Sequence, residues 1–341
     1  MNSIYEHTIE ELESILVSNG FKKFNATQIF EWVYKKRVSS FEEMSNISKN
    51  LITFLNDNYV LDALKIKTFT ESEDTKKYLL ELNDGNYIEC VLMRHDYGNS
   101  LCVSTQVGCN MSCAFCESGR LKKVRNLNTS EIVNQVMSVI KDEGKTLDNI
   151  VVMGIGEPFD NYDNLIKFIR ILNTPKGLDM GSRKITVSTS GIVPKIKEFA
   201  LEKGQVNLAI SLHAPNDIIR DTLMPINKKY KIKELLDAID EYISVTNRRV
   251  TIEYILIDGV NDMDKCAYEL ASILKGKLVY VNLIPYNETS KFSFKRSKLV
   301  QINKFYDILK NEGINVTVRR EMGKNIKGAC GQLRAEVKEG E

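Results

Sequence analysis

Long apolar runs are missing from this chain. No stretch approaches the roughly 20 residues that cross a bilayer, so a helical membrane span is excluded. The opening MNSIYEHTIEELESILVSNG carries acidic residues throughout and has no unbroken apolar core, so no secretory leader is expected. The protein is therefore expected to be cytoplasmic, where thiols stay reduced. Histidine is scarce: His7, His95 and His213 are the whole set, and none pairs with another in sequence. Net charge is nearly absent as well, and +2 is too small to imply a nucleic-acid partner. The basic residues nonetheless cluster: Lys22, Lys23, Lys35, Lys36 and Arg37; then Arg120, Lys122, Lys123 and Arg125; then Arg319, Arg320, Lys324 and Lys327. On charge alone these are three solvated faces. Repeats with periods of 20 to 50 residues and low-complexity segments are also missing.

What the chain does have is alternation. Residues 1–65 read as short helices forming an accessory domain, for example TIEELESILVSNG and NATQIFEWVYKKR. Residues 66–94 read as a linking β-hairpin, with its turn at Asn83-Asp84-Gly85. From about residue 95 to 341 strand-like and helical runs alternate. LCVSTQV, NIVVMGI, KITVSTS, VNLAISL, VTIEYIL and LVYVNLIP are each followed by an amphipathic stretch, and INVTVRR closes the series. Six such units predict an α/β fold with a parallel sheet, curled by right-handed crossovers into a partial (β/α)6 barrel. Polar residues fall at the ends of these strands: Gly156 and Glu157, Ser188, Ser211 and His213, and Asn287. Sites in such barrels are built at the carboxyl ends of the strands. Each residue alone could be turn or capping chemistry; together they favour a ligand site.

Seven cysteines in a reducing compartment point to metal binding or catalysis rather than disulfides. Three of them, Cys109, Cys113 and Cys116, stand within GCNMSCAFCESG in a C-x3-C-x2-C spacing, with no fourth close by. Structural zinc closes with four ligands, usually from two paired motifs. A [4Fe–4S] cluster normally takes four thiolates; with three, one iron stays open to a small molecule. The spacing therefore favours the cluster, and zinc remains the alternative.

The loop after the first barrel strand resembles that of the radical S-adenosylmethionine (SAM) superfamily. VGCNMSCAFC, GIGEP, VSTSGIVP, SLHAPND, LMPIN and ACGQLR together resemble the RlmN family, adenine carbon-2 methyltransferases of 23S rRNA and tRNA. The likeness extends into the accessory domain through FNATQIFEWVYKKRVSSFEEMSNISKNL. It implies a radical SAM barrel, one [4Fe–4S] cluster on Cys109, Cys113 and Cys116, and two SAM per methylation, one as methyl donor and one as radical source. It implies that Cys330 carries the methyl group, that Cys102 resolves the protein–RNA adduct by forming a disulfide, and that Glu89 accepts a proton. Cys102 could instead remove that proton, and both remain open. Gly156, Glu157, Ser188, Ser211, Leu212, His213 and Asn287 are implied to surround the cofactor. The implied partners are 23S rRNA, tRNA and an electron donor such as flavodoxin or ferredoxin, with no membrane and a monomeric enzyme.

Carbon 2 of adenine is electron-poor and cannot attack a sulfonium methyl, whereas a thiolate can. That is why such chemistry needs a cysteine carrier. Cys330 in KNIKGACGQL suits the role, because a loop cysteine flanked by glycines is a poor core residue. Cys90 and Cys266 are expected to be small buried hydrophobes instead. Phe21, Phe24 and Trp32 could dock RNA, but the simpler expectation is the accessory domain's own core. Two departures from the family pattern stand out: Glu117 replaces a small residue, and NIKGACG replaces an acidic DIDAACG. The rival readings are the related Cfr-type methylation of adenine carbon 8, which gives antibiotic resistance; a radical enzyme acting on a small metabolite; and a zinc-binding, non-enzymatic RNA-binding protein.

Overall fold

The computed structural model describes residues 1–120, 122–289, 292–320 and 322–323. Helix α1 (Ile9–Ser18) starts at a capping box in which Thr8 and Glu11 satisfy each other's backbone N–H groups. It buries Leu12 and Leu16 on its inner face. Helix α2 (Phe24–Phe30) runs into a π-helical segment, Glu31–Lys36, which stops at Arg37 in the left-handed region. Helix α3 (Lys49–Asn58) begins at the Ser48 cap and buries Leu51 and Leu55. This module is fastened to the rest of the chain by polar contacts. Glu6 accepts from the Ser130 N–H at 2.8 Å, Lys167 pairs with Glu11 at 2.8 Å, and Lys35 donates to the Pro175 carbonyl at 2.9 Å.

Ten strands follow in one sheet: β1 (Lys65–Glu71), β2 (Thr75–Glu81), β3 (Tyr87–His95), β4 (Gly98–Cys102), β5 (Asn149–Val152), β6 (Ile185–Thr189), β7 (Asn207–Ser211), β8 (Val250–Leu256), β9 (Val279–Pro285) and β10 (Val316–Val318). Each is bonded to its neighbour in sequence. The pairs from β4 to β10 are all parallel, and those from β1 to β4 antiparallel. The parallel crossovers carry α4 (Thr129–Glu143), α5 (Tyr162–Asn173), α6 (Val193–Ala200), α7 (Asp217–Leu223) with α8 (Ile232–Thr246), α9 (Asp264–Leu274) and α10 (Leu299–Asn311). The six strand–helix units expected from the alternation are therefore present. Residues of β3, β4 and β5 line one cavity with residues at the ends of β8 and β9, so the sheet curls into a partial barrel.

The segment read as a linking hairpin is more than that. Its turn lies at Gly85, whose φ of 77° suits glycine. A third strand, β1, pairs outside it, and β3 pairs with β4 to continue the barrel sheet without a break. The pattern missed β1 because that edge strand is largely exposed and shows no apolar face. Cys90 and Cys266 are buried, as expected. Phe21 packs on Phe54 and Trp32 against the core, whereas Phe24 is 55% exposed. No helix among the described residues is long and apolar enough to cross a membrane.

Candidate functional site

The loop after β4 carries Cys109, Cys113 and Cys116. It is pinned to α7 by the Ala114 N–H, which donates to the Leu223 carbonyl at 2.9 Å. The Phe115 ring meets His213 edge-on, with centroids 5.0 Å apart. Burial pushes the Cys109 thiol up to about 12, and Cys113 well above its ordinary value too. Cys116 adds to the rise at both Cys109 and Cys113, and Cys109 to that at Cys113, so the three lie in one electrostatic neighbourhood. Bare thiolates would be costly there, and a bound metal is what removes that cost. Among the described residues, no three His, Cys, Asp or Glu side chains gather closely enough for a single ion. Tetrahedral zinc would hold thiolates about 3.8 Å apart, given bonds of about 2.3 Å. A [4Fe–4S] cluster offers each thiolate a separate iron, and the donor set fits that group.

On one side of this loop lies a cavity of about 300 Å³, lined by Phe115, Cys116, Glu117, Cys102, Met153 and Asn287 among others. That is the low end of the roughly 300–1,000 Å³ usual for small-molecule sites. Cys102 reaches it because it faces Val91 in the β3–β4 register and shares a small apolar cluster with Val91 and Met93. Glu117, the unusual residue after the third cysteine, is buried and pairs with Arg120 at 3.3 Å. Lys123 and Arg125 are likewise engaged, with Asp160 and with Glu131 and Asp84. That basic cluster is thus mostly internal ion pairing.

The ends of β5, β6 and β7 lie near the loop as well. Gly154 and Gly156 let the chain after β5 lie against the chain after β4. An added Cβ would fall 2.6 Å from the Val103 carbonyl oxygen in the first case and 2.7 Å from Gln106 in the second. Gln106 then accepts from the Glu157 N–H at 2.9 Å. The Glu157 carboxylate is buried and accepts from the Phe159 N–H, the Thr189 hydroxyl and the Ser190 N–H, at 3.0, 2.7 and 2.7 Å. Burial raises its proton affinity, and these donors oppose the rise. A carboxylate has about four acceptor sites, so one is left. Ser188 and Ser211 bring their hydroxyl oxygens to 3.5 Å across adjacent strands. Leu212 is fully buried, and its N–H donates to the Glu253 carbonyl.

His213 adopts a left-handed φ of 56°, and its Nδ1 accepts from the Ile255 N–H at 3.1 Å. Burial, then the Arg220 charge, lowers it to about 3, so the ring is neutral with its proton on Nε2. Neither His213 nor Gly156, Glu157, Ser188, Ser211 or Leu212 lines the cavity beside Cys116. Of the expected set, Cys102, Cys116 and Asn287 line that cavity. Glu89 is buried on β3, two residues before Val91 and on the same face of the sheet. Cys330 lies outside the described residues.

Sequence reasoning missed Arg220. It sits on α7 without any accessible surface. Its guanidinium donates to the carbonyls of Ser190, Leu212 and Ser211 and to Asn227 Oδ1, at 2.7, 3.0, 3.2 and 3.1 Å. It thereby ties the ends of β6 and β7 together beside Cys113. Its only signal was a charge within IIRDTLMPIN, where a surface position is the ordinary reading.

The comparisons agree with this geometry. Residues 103–271 match the Radical SAM superfamily model, and residues 3–61 match the ribosomal RNA large subunit methyltransferase N-terminal domain. The probable dual-specificity RNA methyltransferase RlmN of Spiroplasma citri is 55% identical over 340 residues, covering 98% of both chains. The protein of the same description from Acholeplasma laidlawii is 55% identical over 335 residues, covering 98% of this chain and 99% of its own. A crystal structure of a radical SAM methyltransferase from Sphaerobacter thermophilus superposes with a TM-score of 0.92 at 44% identity, covering 97% of this chain and 99% of that one. With such identity along nearly its whole length, and with the cysteine loop on the rim of the barrel, the chain belongs to the RlmN family of radical SAM methyltransferases.

Proposed function

We propose that this radical SAM RNA methyltransferase methylates carbon 2 of a specific adenosine in 23S rRNA and in tRNA, through a methyl-carrying Cys330. Cys109, Cys113 and Cys116 hold the [4Fe–4S] cluster. Glu157 offers its remaining acceptor site to the SAM amino group, and Asn287, Ser188 and Ser211 bound the cofactor from the surrounding strand ends. When bound there, the cluster and SAM would supply radical chemistry able to take one hydrogen atom from the S-methyl group.

The chain's own residues do the rest. The Cys330 thiolate takes the methyl group from a first SAM, which leaves as S-adenosylhomocysteine. After the methylene carbon joins carbon 2, Glu89 accepts the ring proton and the Cys102 thiol attacks the Cys330 sulfur. A carbon–sulfur bond breaks as the disulfide forms, and methylated RNA leaves. The atoms balance. The methyl carbon replaces one ring hydrogen, and the two thiols end as a disulfide. Of the two hydrogens lost, one goes to deoxyadenosine and the other departs as a proton, its electron taken up by the oxidised cluster, which would have given one electron to SAM.

The observation that carries this reading is that Cys102 and Cys116 line one cavity. A thiol that must resolve the adduct thereby stands beside the loop that holds the cluster. The N-terminal module and its lysines dock the RNA backbone, which supplies affinity without sequence information. The target base is drawn out of its stack to reach the barrel. A flavodoxin or ferredoxin supplies the electron, and the enzyme works as a cytoplasmic monomer.

The test is anaerobic turnover of reconstituted enzyme on an RNA fragment, with mass spectrometry locating the methyl group. Wild type should give 2-methyladenosine, and Cys330→Ala should give none. Undiminished product from the variant would refute the carrier role, and a methyl group on carbon 8 would identify the Cfr-type reaction instead.

A further inference from the structure

Two charges are buried side by side on neighbouring strands. Lys77 on β2 and Glu89 on β3 are each 1% exposed, and Nζ stands 3.9 Å from the carboxylate Oε2. The register explains the meeting. Leu79 faces Glu89 and Lys77 faces Val91, so Lys77 and Glu89 are diagonal neighbours on one face of an antiparallel pair. Cys102 faces Val91 from the other side, on β4, and so shares that face. The backbone beneath is held firmly. The Ser104 hydroxyl donates to the Glu89 carbonyl at 2.5 Å and accepts from the Ile155 N–H at 2.9 Å, tying β3 to the loop after β5.

Burying either charge alone costs several kcal/mol, and such a group normally gives up its charge instead. An opposite charge within about 4–6 Å favours the ionised form. We propose that Lys77 is a positioning residue for the methyl-transfer chemistry: it holds Glu89 ionised and aimed along the face shared with Cys102. This rests on the proton-acceptor role of Glu89 proposed above. Without the ammonium, the buried carboxyl takes up its proton before the adduct forms. It then has no capacity left for the ring proton, and the protein–RNA crosslink persists. A lysine that merely filled space would slow every step alike and would not change the share of enzyme trapped as adduct.

The experiment compares wild type, Lys77→Gln, Lys77→Arg, Glu89→Gln and the double variant Lys77→Gln/Glu89→Gln. Each is reconstituted with its cluster and turned over anaerobically on an RNA fragment. Crosslinked protein–RNA is read on denaturing gels, and product by mass spectrometry. Lys77→Gln should raise the ratio of crosslink to product at least tenfold and match Glu89→Gln. Lys77→Arg, which keeps the charge, should stay within about twofold of wild type. The double variant should trap no less than Glu89→Gln alone, because the two residues act as one unit. Normal release by Lys77→Gln, in the presence of trapping by Glu89→Gln, would overturn the inference. Failure of Glu89→Gln itself to trap would instead remove the role of Glu89. If Lys77→Gln cannot hold iron, the near-isosteric Lys77→Met is read in the same way: trapping equal to Glu89→Gln supports the pairing, and normal release refutes it.

Discussion

Cys113→Ala yields a colourless protein that retains no cluster iron after anaerobic reconstitution, and its methyl transfer falls by at least roughly 10⁶-fold, the low end of enzymatic acceleration. The reason lies in how the loop is built. Three thiols occupy eight residues, and the Ala114 N–H fixes Cys113 against α7. Burial holds the Cys113 thiol far from its charged form, and Arg220 is the cation that partly offsets this. With one thiolate removed, two would remain for the proposed cluster, which would take three from the protein. Among the described residues no three His, Cys, Asp or Glu side chains gather for a single ion, and His213 spends Nδ1 on a backbone N–H. Cys266→Ala is the control. Cys266 is buried on α9 within the hydrophobic core, away from the thiol loop, and its loss should leave iron, sulfide and turnover unchanged. Wild type carrying stoichiometric zinc and no sulfide would sink the cluster assignment altogether.

Arg220→Met lowers stability by about 3–4 kcal/mol, the sum of several buried acceptors left without donors at about 1–3 kcal/mol each, less the cost of burying a charge. The three carbonyls and Asn227 Oδ1 that lose their partner are all held within the core of the barrel rim. Burial also lowers the guanidinium to about 10, which still leaves it charged at neutral pH. For a chain of this length the melting temperature should fall by about 5 °C in a thermal scan. Arg220→Lys should not restore it, because one ammonium cannot span the ends of two strands as a planar fork does. An unchanged melting temperature in Arg220→Met would show that the strand ends hold together without it. Alongside the loss of stability, the ends of β6 and β7 should lose their alignment, weakening SAM binding in a direct titration.

The alternation of strand and helix was plain in the sequence because buried parallel strands read as continuous apolar runs and their crossover helices as amphipathic ones. VNLAISL became β7, and VTIEYIL became β8. The cysteine loop was equally plain, since its chemistry depends on spacing within eight residues. Strand β1 escaped notice because an exposed edge strand has no periodicity to betray it. Glu89 came from family resemblance, but its neighbour Lys77 did not, for a lysine between Lys76 and Tyr78 looks like an ordinary solvated residue.

The amino-acid sequence alone determined the order of elements, the thiol spacing and the family, all of which depend on residues close together in the chain or on a pattern spread along it. Only the tertiary structure decided which charges are buried and what they meet: Lys77 with Glu89, and Arg220 with the ends of two strands. The reason is that burial and partner choice depend on strand register and sheet curvature, which bring together residues far apart in the chain, 30 positions in the case of Arg220 and Ser190. No local property of an arginine or a lysine carries that information.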